Sequence, residues 1–240
     1  MFLILKYLTS QTQEPLRPNQ LGISPLHRAA FEGNIRTVKH LLQFANSPNI
    51  LTEYGDSLIL MAAAGGEKAI KLIKFLMPSM ENPMVTNLDG LSPMHVASKS
   101  GNCSVVKYLC QQFPNKIKEV VPTNGRTAIS YAAGYGHVEV IKVIASKLCD
   151  PHDVLQPDLN GLNPIHHAAS NGMTKPLRYL AKFTGNPNAP VNGQPNETPL
   201  QMAIRNNHME TVKVMLSIIG EKLLTADGDD KIAMLSSISK

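Results

Sequence analysis

The chain has 240 residues, 43% hydrophobic and 17% charged, a balance that supports a buried core and excludes wholesale disorder. Its formal charge of +5 and pI near 9.1 favour acidic partners or anionic surfaces, yet Trp is absent and aromatic residues make up only 5%, so no stacking platform for nucleic acid interleaves with the charges. The longest apolar run, Leu58 to Ala64, is too short to insert across a membrane, and the odd set Cys103, Cys110 and Cys149 suits reduced thiols in the cytoplasm or nucleus.

The chain opens on MFLILKYLTSQ, which lacks the charged leader, long apolar stretch and cleavage site of a secretory signal. Its Lys6-Tyr7-Leu8 matches Lys39-His40-Leu41 and Lys107-Tyr108-Leu109, so it reads as the second helix of a repeat without its first half. Phe2 to Leu5 then need either further repeats or another chain to cover them, or they form a divergent cap helix that tucks in its own apolar side. Thr12 to Leu21 is a polar, Pro-bearing loop.

From Gly22 to Leu42 the pattern predicts a turn and two short helices. Ser24 caps the first helix, Pro25 fits its first position, and Leu26, Ala29 and Ala30 form its apolar stripe. Gly33 ends it, and Ile35, Val38, Leu41 and Leu42 mark the second helix. The cap recurs as Ser57, Ser92, Thr127, Asn163 and Thr198, at steps of 33, 35, 35, 36 and 35 residues. Five residues after each cap stands Ala29, Ala62, Ala97, Ala132, Ala168 or Ala203, a small side chain for close helix contact. Nine residues after stands Gly33, Gly66, Gly101, Gly136, Gly172 or, last, Asn207, all tolerant of a left-handed backbone. A fixed period of this length, with two helices per unit, means stacked repeats sharing a core.

The phrases SPLHRAA, SPMHVAS, NPIHHAA and TPLQMAI resemble the TPLHxAA signature of ankyrin repeats, and the resemblance covers nearly the whole chain. It implies an all-α solenoid of helix-turn-helix units joined by β-hairpin loops. Residues 1–21 would be a half-repeat and loop, 22–220 six repeats starting near 22, 55, 90, 125, 161 and 196, and 221–240 a closing half-repeat. Within this frame repeat two needs two extra residues near Gly65 to Lys68 and so a longer bend, and Gln111 to Asn124 and Lys147 to Asn160 should project as extended hairpins or loops. Pro176 falls in the first turn of its helix and should not kink it.

No catalytic set is legible. His27, His95 and His166 recur once per repeat, whereas an active site needs convergence in one pocket, and they resemble the family's structural histidine bonding the adjoining turn. His166-His167 lacks the ligand pairing of a zinc site, and Asp227 to Asp230 lacks the ligand pattern of a calcium loop, so neither a metal nor another cofactor is expected. Lys6, Lys39, Lys74, Lys107, Lys142, Arg178 and Lys213 share one position of the second helices, either a basic ladder for an acidic partner or simply the solvated position.

What the resemblance implies is a non-enzymatic module that binds a partner protein at the hairpin tips and the ends of the first helices. Those positions here are Tyr54, Asp56, Leu91, Arg126 and Leu162 on the hairpins, and Phe31, Glu32, Tyr135, Asn171 and Arg205 on the helix ends. Aromatic and Arg residues among them are of the kind that anchors interfaces. An alternative implication is the cytoplasmic ankyrin portion of a larger membrane channel or signalling protein.

Overall fold

The computed structural model describes residues 7, 9–66, 68–191, 197–226, 231–232 and 235–236. Phe2 to Lys6, the Asp227 to Asp230 turn and the residues after Ser236 lie outside the described residues. The first helices of the pairs are α1 (Pro25–Phe31), α3 (Leu58–Ala64), α5 (Pro93–Lys99), α7 (Ala128–Gly134), α9 (Pro164–Ser170) and α11 (Pro199–Arg205). Their second helices are α2 (Ile35–Leu41), α4 (Ala69–Leu76), α6 (Cys103–Gln112), α8 (Val138–Ala145), α10 (Thr174–Leu180) and α12 (Met209–Thr225). Among the described residues the loops carry isolated antiparallel bridges, Leu51 to Ser57 and Val120 to Thr127, and no strand.

Each first helix begins where the cap pattern places it. Ser24, Ser57, Thr127, Asn163 and Thr198 hold extended backbone and accept a hydrogen bond from an N–H of the first turn. The third helical residue answers in kind at four of the six starts, because His27, His95 and His166 accept the cap residue's N–H on Nδ1 (3.2, 3.3 and 3.3 Å) and Gln201 does so on Oε1 (3.0 Å). An imidazole that accepts on Nδ1 carries its proton on Nε2, and His27 donates that proton to the Ile50 carbonyl at 3.4 Å. The recurrent histidines are cap residues.

Gly33, Gly101, Gly136 and Gly172 take φ between +65° and +85°, and Asn207 takes 58°, as their position requires. Gly66 does not. The link between α3 and α4 is Gly65 to Lys68, one residue longer than Glu32 to Asn34 between α1 and α2 and not two, because the other added residue lies in α4, which has 8 residues where α2 has 7; the longer link removes the need for a left-handed turn.

The chain divides into two compact units, Met1–Gln112 and Phe113–Lys240. In the first, α1 packs on α3 and α3 on α5; in the second, α7 packs on α9 and α9 on α11. The recurring alanines lie at these contacts, at 0–4% exposure, where a larger side chain would push the helices apart. Leu26, Leu41, Leu58, Ile59, Leu72 and Leu109 fill the core of the first unit, and Ile129, Ile141, Leu177 and Leu180 that of the second. Each contributes about 1.5–3 kcal/mol of apolar burial.

Two connectors fold inward rather than projecting. Gln111 to Asn124 contains a 3-10 turn, Pro114–Lys116, and buries Ile117 and Val121; Lys147 to Asn160 contains another, Pro151–Leu155, and buries Val154. Their apolar residues draw them onto the core. Pro176 sits as the third residue of α10, which runs unbroken to Leu180. At the N-terminal side, Tyr7 and Thr9 to Gln11 are helical, and Thr9 Oγ1 lies 2.9 Å from His40 Nε2 of α2. At the other end α12 continues through residues 220 and 221 to Thr225, and Ile232 and Leu235 are helical and exposed.

Three cations of the second helices, Lys39, Lys74 and Lys142, are engaged. Lys39 Nζ lies 4.7 Å from the ring centre of Phe75 and Lys74 Nζ 5.1 Å from that of Tyr108, so each covers an aromatic ring of the next second helix. Such contacts contribute about 0.5–1 kcal/mol at exposed sites. Lys142 donates to Glu139 at 2.7 Å on its own helix.

Candidate functional site

The hairpins between helix pairs are built on one tight turn. It runs Asn19 to Gly22, Thr52 to Gly55, Asn87 to Gly90 and Asp158 to Gly161, and each glycine N–H donates to the carbonyl of the first residue at 2.9–3.0 Å. The glycines hold φ of +70° to +79°. The opening side chain accepts from the returning limb: Asn19 from Leu21 and Ile23, Thr52 from Asp56, Asn87 from Leu91, and Asp158 from Asn160 and Leu162. In the fourth hairpin Pro122 occupies that place and Asn124 takes over, accepting from the Arg126 N–H at 2.9 Å.

Neighbouring turns are stitched by backbone. In the first unit Glu53 N–H donates to Leu21 O (3.4 Å) and Leu88 N–H to Tyr54 O (2.9 Å); in the second unit Leu159 N–H donates to Asn124 O (3.0 Å). A turn held at both ends keeps whatever it displays in a fixed place. It displays apolar side chains, because Leu88 is 76% exposed, Tyr54 54% and Leu21 45% in the first unit, and Leu159 71% in the second.

The structure separates the ten residues singled out from sequence into two groups. Tyr54, Phe31 and Tyr135 are exposed, Tyr54 at a turn tip and the other two at the ends of α1 and α7. The remaining seven are on the returning limb or in intramolecular bonds. Leu91 and Leu162 are half-buried, one residue before the caps Ser92 and Asn163. Asp56 stands in the same place and accepts from Asn87 Nδ2 of the next hairpin at 2.9 Å. Arg126, again in that place, reaches Asp158 of the next hairpin with Nε to Oδ2 at 3.5 Å. Glu32 pairs with Arg28 at 3.0 Å, and Arg205 pairs with Glu197 through both oxygens at 2.5 and 3.0 Å. Asn171 donates Nδ2 to the Gly134 carbonyl at 2.9 Å, covering an end carbonyl of α7, as Asn102 covers Gly65 and Asn206 covers Ser170.

Leu88 and Leu159 were not among those ten. They stand four residues before the caps, and the first helix's own period gives that offset no meaning; only the turn's hydrogen bonds show that it is the tip. Asp158 was missed as well, although Asn19, Thr52, Asn87 and Asp158 recur five residues before their caps as turn-opening types.

Asp158 has four partners in the second unit. Its carboxylate is fully buried, Oδ1 accepts the Asn160 and Leu162 N–H groups at 2.9 and 3.0 Å, and Oδ2 faces Arg126 and, at 3.0 Å, His167 Nε2. Burial lowers the pKa of His167 to about 4, the Arg126 charge adds to the drop, and Asp158 opposes it. The ring is therefore neutral near pH 7 and donates Nε2–H to the carboxylate. His166 is also lowered to about 4, first by burial and then by His167, and His27 is lowered by burial.

A histidine whose folded pKa lies below the unfolded value of 6.5 binds its proton more readily in the unfolded chain, so stability rises with pH between about 4 and 6.5 and is complete above 6.5. His166 and His167 each account for up to about 3 kcal/mol of this loss on acidification. Urea unfolding at pH 7.0, 5.5 and 4.5 should show the second unit weakening stepwise; a midpoint that stays level to pH 4.5 would contradict the assignment of neutral, buried rings.

Among the described residues no three His, Cys, Asp or Glu side chains converge as a metal site, and no helix is long and apolar enough to cross a membrane. Stacked helix pairs that hold a row of rigid, side-chain-bearing turns define a helical repeat protein of the solenoid class. The chain belongs to the ankyrin-repeat family: the profile for ankyrin repeats (3 copies) matches residues 59–154 and 147–227, and that for a single ankyrin repeat matches residues 21–53. Ankyrin repeats generally serve as protein-interaction modules.

Three relatives illustrate the range. The chain is 25% identical over 201 residues to the transient receptor potential cation channel subfamily A member 1 of Homo sapiens, a match covering 80% of this chain and 17% of the channel. It is 28% identical over 168 residues to the nuclear factor NF-kappa-B p105 subunit of Gallus gallus, covering 70% of this chain and again 17% of the relative. With the probable 26S proteasome regulatory subunit p28 of Saccharomyces cerevisiae it shares 28% identity over 205 residues, 82% of this chain and 85% of that protein. The crystal structure of the ankyrin repeat domain of Bcl-3 superposes with a TM-score of 0.58 at 19% identity, covering 89% of this chain and 91% of that one, a likeness of fold alone.

Proposed function

We propose that the chain is a non-enzymatic protein-binding scaffold or adaptor of the cytoplasm or nucleus, which holds a partner protein on its turn tips and the adjoining ends of its first helices. One observation carries the reading. Tyr54 and Leu88 are large, mostly exposed side chains on turns fixed by backbone bonds, and the core uses neither. Placing them in solvent gains the fold nothing, whereas preorganised apolar anchors lower the entropy lost when a partner binds. The recurrent histidines, the most plausible catalytic groups by residue type, are spent on helix caps.

A second reading is favoured by the channel relative, of which a segment 17% long matches 80% of this chain. On that reading the same surface works as the cytoplasmic ankyrin portion of a larger membrane or signalling protein. Both readings are tested together by capturing partners from a cell extract with the chain and with its Tyr54→Ser/Leu88→Ser variant. The variant should keep the same thermal midpoint and lose a partner that the chain retains, with affinity at least tenfold weaker. Equal retention by both would remove the turn tips from the interface.

A further inference from the structure

The last two second helices differ in length and leave a cleft in the second unit. α12 has 17 residues where α10 has 7, and both begin eleven places after their caps, Thr198 and Asn163. α12 therefore runs on past Met215, the position in register with the end of α10 at Leu180, and there α10 gives way to the 3-10 turn Ala181–Phe183. Between them lies a cleft of about 320 Å³, floored by Ala181 and Ile218, each 5% exposed. Arg178 and Lys182 line it from one side and Lys222 from the other.

Three cations from two elements thus face one space. In the same unit Lys118 pairs with Asp153, Arg126 with Asp158, Lys142 with Glu139 and Arg205 with Glu197. Among the described residues Arg178, Lys182 and Lys222 have no such acid; Lys182 lies 5.8 Å from the ring centre of Tyr179 on its own segment. Glu221, the acid of the cleft, accepts from Ser217 Oγ at 3.0 Å along α12. Like charges gathered around an opening repel, so the fold by itself gains nothing from this arrangement.

We infer that the cleft binds a small organic phosphate monoester. Such a group carries about −1.5 to −2 charges at neutral pH, which together with Glu221 balances the three cations. Arg178 offers the planar fork that matches phosphate oxygens, and the two lysines supply point charges. Ala181 and Ile218 receive the carbon part of the ligand. Small-molecule sites occupy roughly 300–1,000 Å³, so this one takes a phosphate and little more than one ring. The site belongs to the second unit and uses neither Tyr54 nor Leu88, so it stands or fails independently of the protein-binding reading.

The test is isothermal titration of the full chain with phenyl phosphate as the probe, beside phenol and inorganic phosphate. Phenyl phosphate should bind at least tenfold more tightly than phenol and severalfold more tightly than inorganic phosphate, and should weaken severalfold between 50 and 300 mM salt. An Arg178→Gln/Lys222→Gln variant should keep the thermal midpoint and bind at least tenfold more weakly, while Lys213→Gln, on α12 outside the cleft, leaves binding unchanged. Phosphatidylcholine vesicles carrying phosphatidic acid present the same monoester on a lipid. Their cosedimentation with the chain, lost in the double variant, would support the inference with a lipid as the source, and binding of phenyl phosphate without the vesicles would support a free one. Equal affinity for phenol and phenyl phosphate, no response to the double variant, or no binding of either phosphate source would overturn it. Binding that appears only in an Asp227→Asn/Asp229→Asn/Asp230→Asn variant would overturn it as well, by making the chain's own acidic turn the occupant.

Discussion

Replacing Asp158 by Ala is expected to destabilise the second unit by about 3–5 kcal/mol, the cost of leaving a buried charge network without its acceptor. The carboxylate accepts from two turn N–H groups and faces both Arg126 and His167, so its loss leaves all of them without the partner they now have. Asp158→Asn keeps a side-chain oxygen for the Asn160 and Leu162 N–H groups and should cost less, about 1–3 kcal/mol. Arg126 is about a third exposed, so Arg126→Ala lets water reach the carboxylate and should be milder than Asp158→Ala. Denaturant unfolding of the two single variants and the double variant gives the coupling energy. Coupling near zero would mean that the 3.5 Å contact between hairpins contributes nothing and that Asp158 serves its own turn only.

The second large effect separates two adjacent glycines. A Cβ on Gly65 would lie 2.1 Å from the Phe31 carbonyl oxygen and 3.2 Å from that of Ala62, while a Cβ on Gly66 would meet nothing within 4 Å. Gly65 is also buried, with its carbonyl accepting from Asn102 Nδ2 at 2.9 Å, so it cannot move aside without breaking a contact between repeats two and three. Gly65→Ala should therefore cost about 2–4 kcal/mol, as overpacking against backbone does, and Gly66→Ala should stay within about 0.5 kcal/mol. The check is the chemical-denaturation midpoint of each variant. A larger loss at Gly66 than at Gly65 would mean that the close approach of α1 to this bend is misplaced.

Both predictions fall where reading the chain by itself stops. The six caps and the prolines at the helix starts were legible because each depends on backbone within one turn of the residue, and the repeat period and the small alanines were legible because they recur with the caps. A cap oxygen serves an N–H three residues on, and a first-turn proline gives up a donor that has no partner anyway. The same locality made Pro176 harmless, whereas the histidines of α1, α5 and α9 were recognisable as structural from their recurrence and their resemblance to the family's structural histidine. The ankyrin fold follows from these features, since a unit of two short helices must stack to bury its apolar faces.

The tertiary structure decided everything that depends on the next repeat. Aligning by the caps put Gly66 in the row of turn glycines, yet the longer bend shifts the demand to Gly65, against which the neighbouring helix end happens to press. The family resemblance singled out Asp56, Leu91, Arg126 and Leu162 as hairpin positions without distinguishing tip from returning limb. The tip is Tyr54, Leu88 or Leu159 because a backbone bond with the adjacent hairpin holds the turn there, and Asp56 and Arg126, one residue before their caps, are drawn in by bonds to Asn87 and Asp158 of the next hairpin. Local hydrogen bonding is written in the order of the residues. The side of a hairpin that meets another repeat some 35 positions away is set by how the repeats pack.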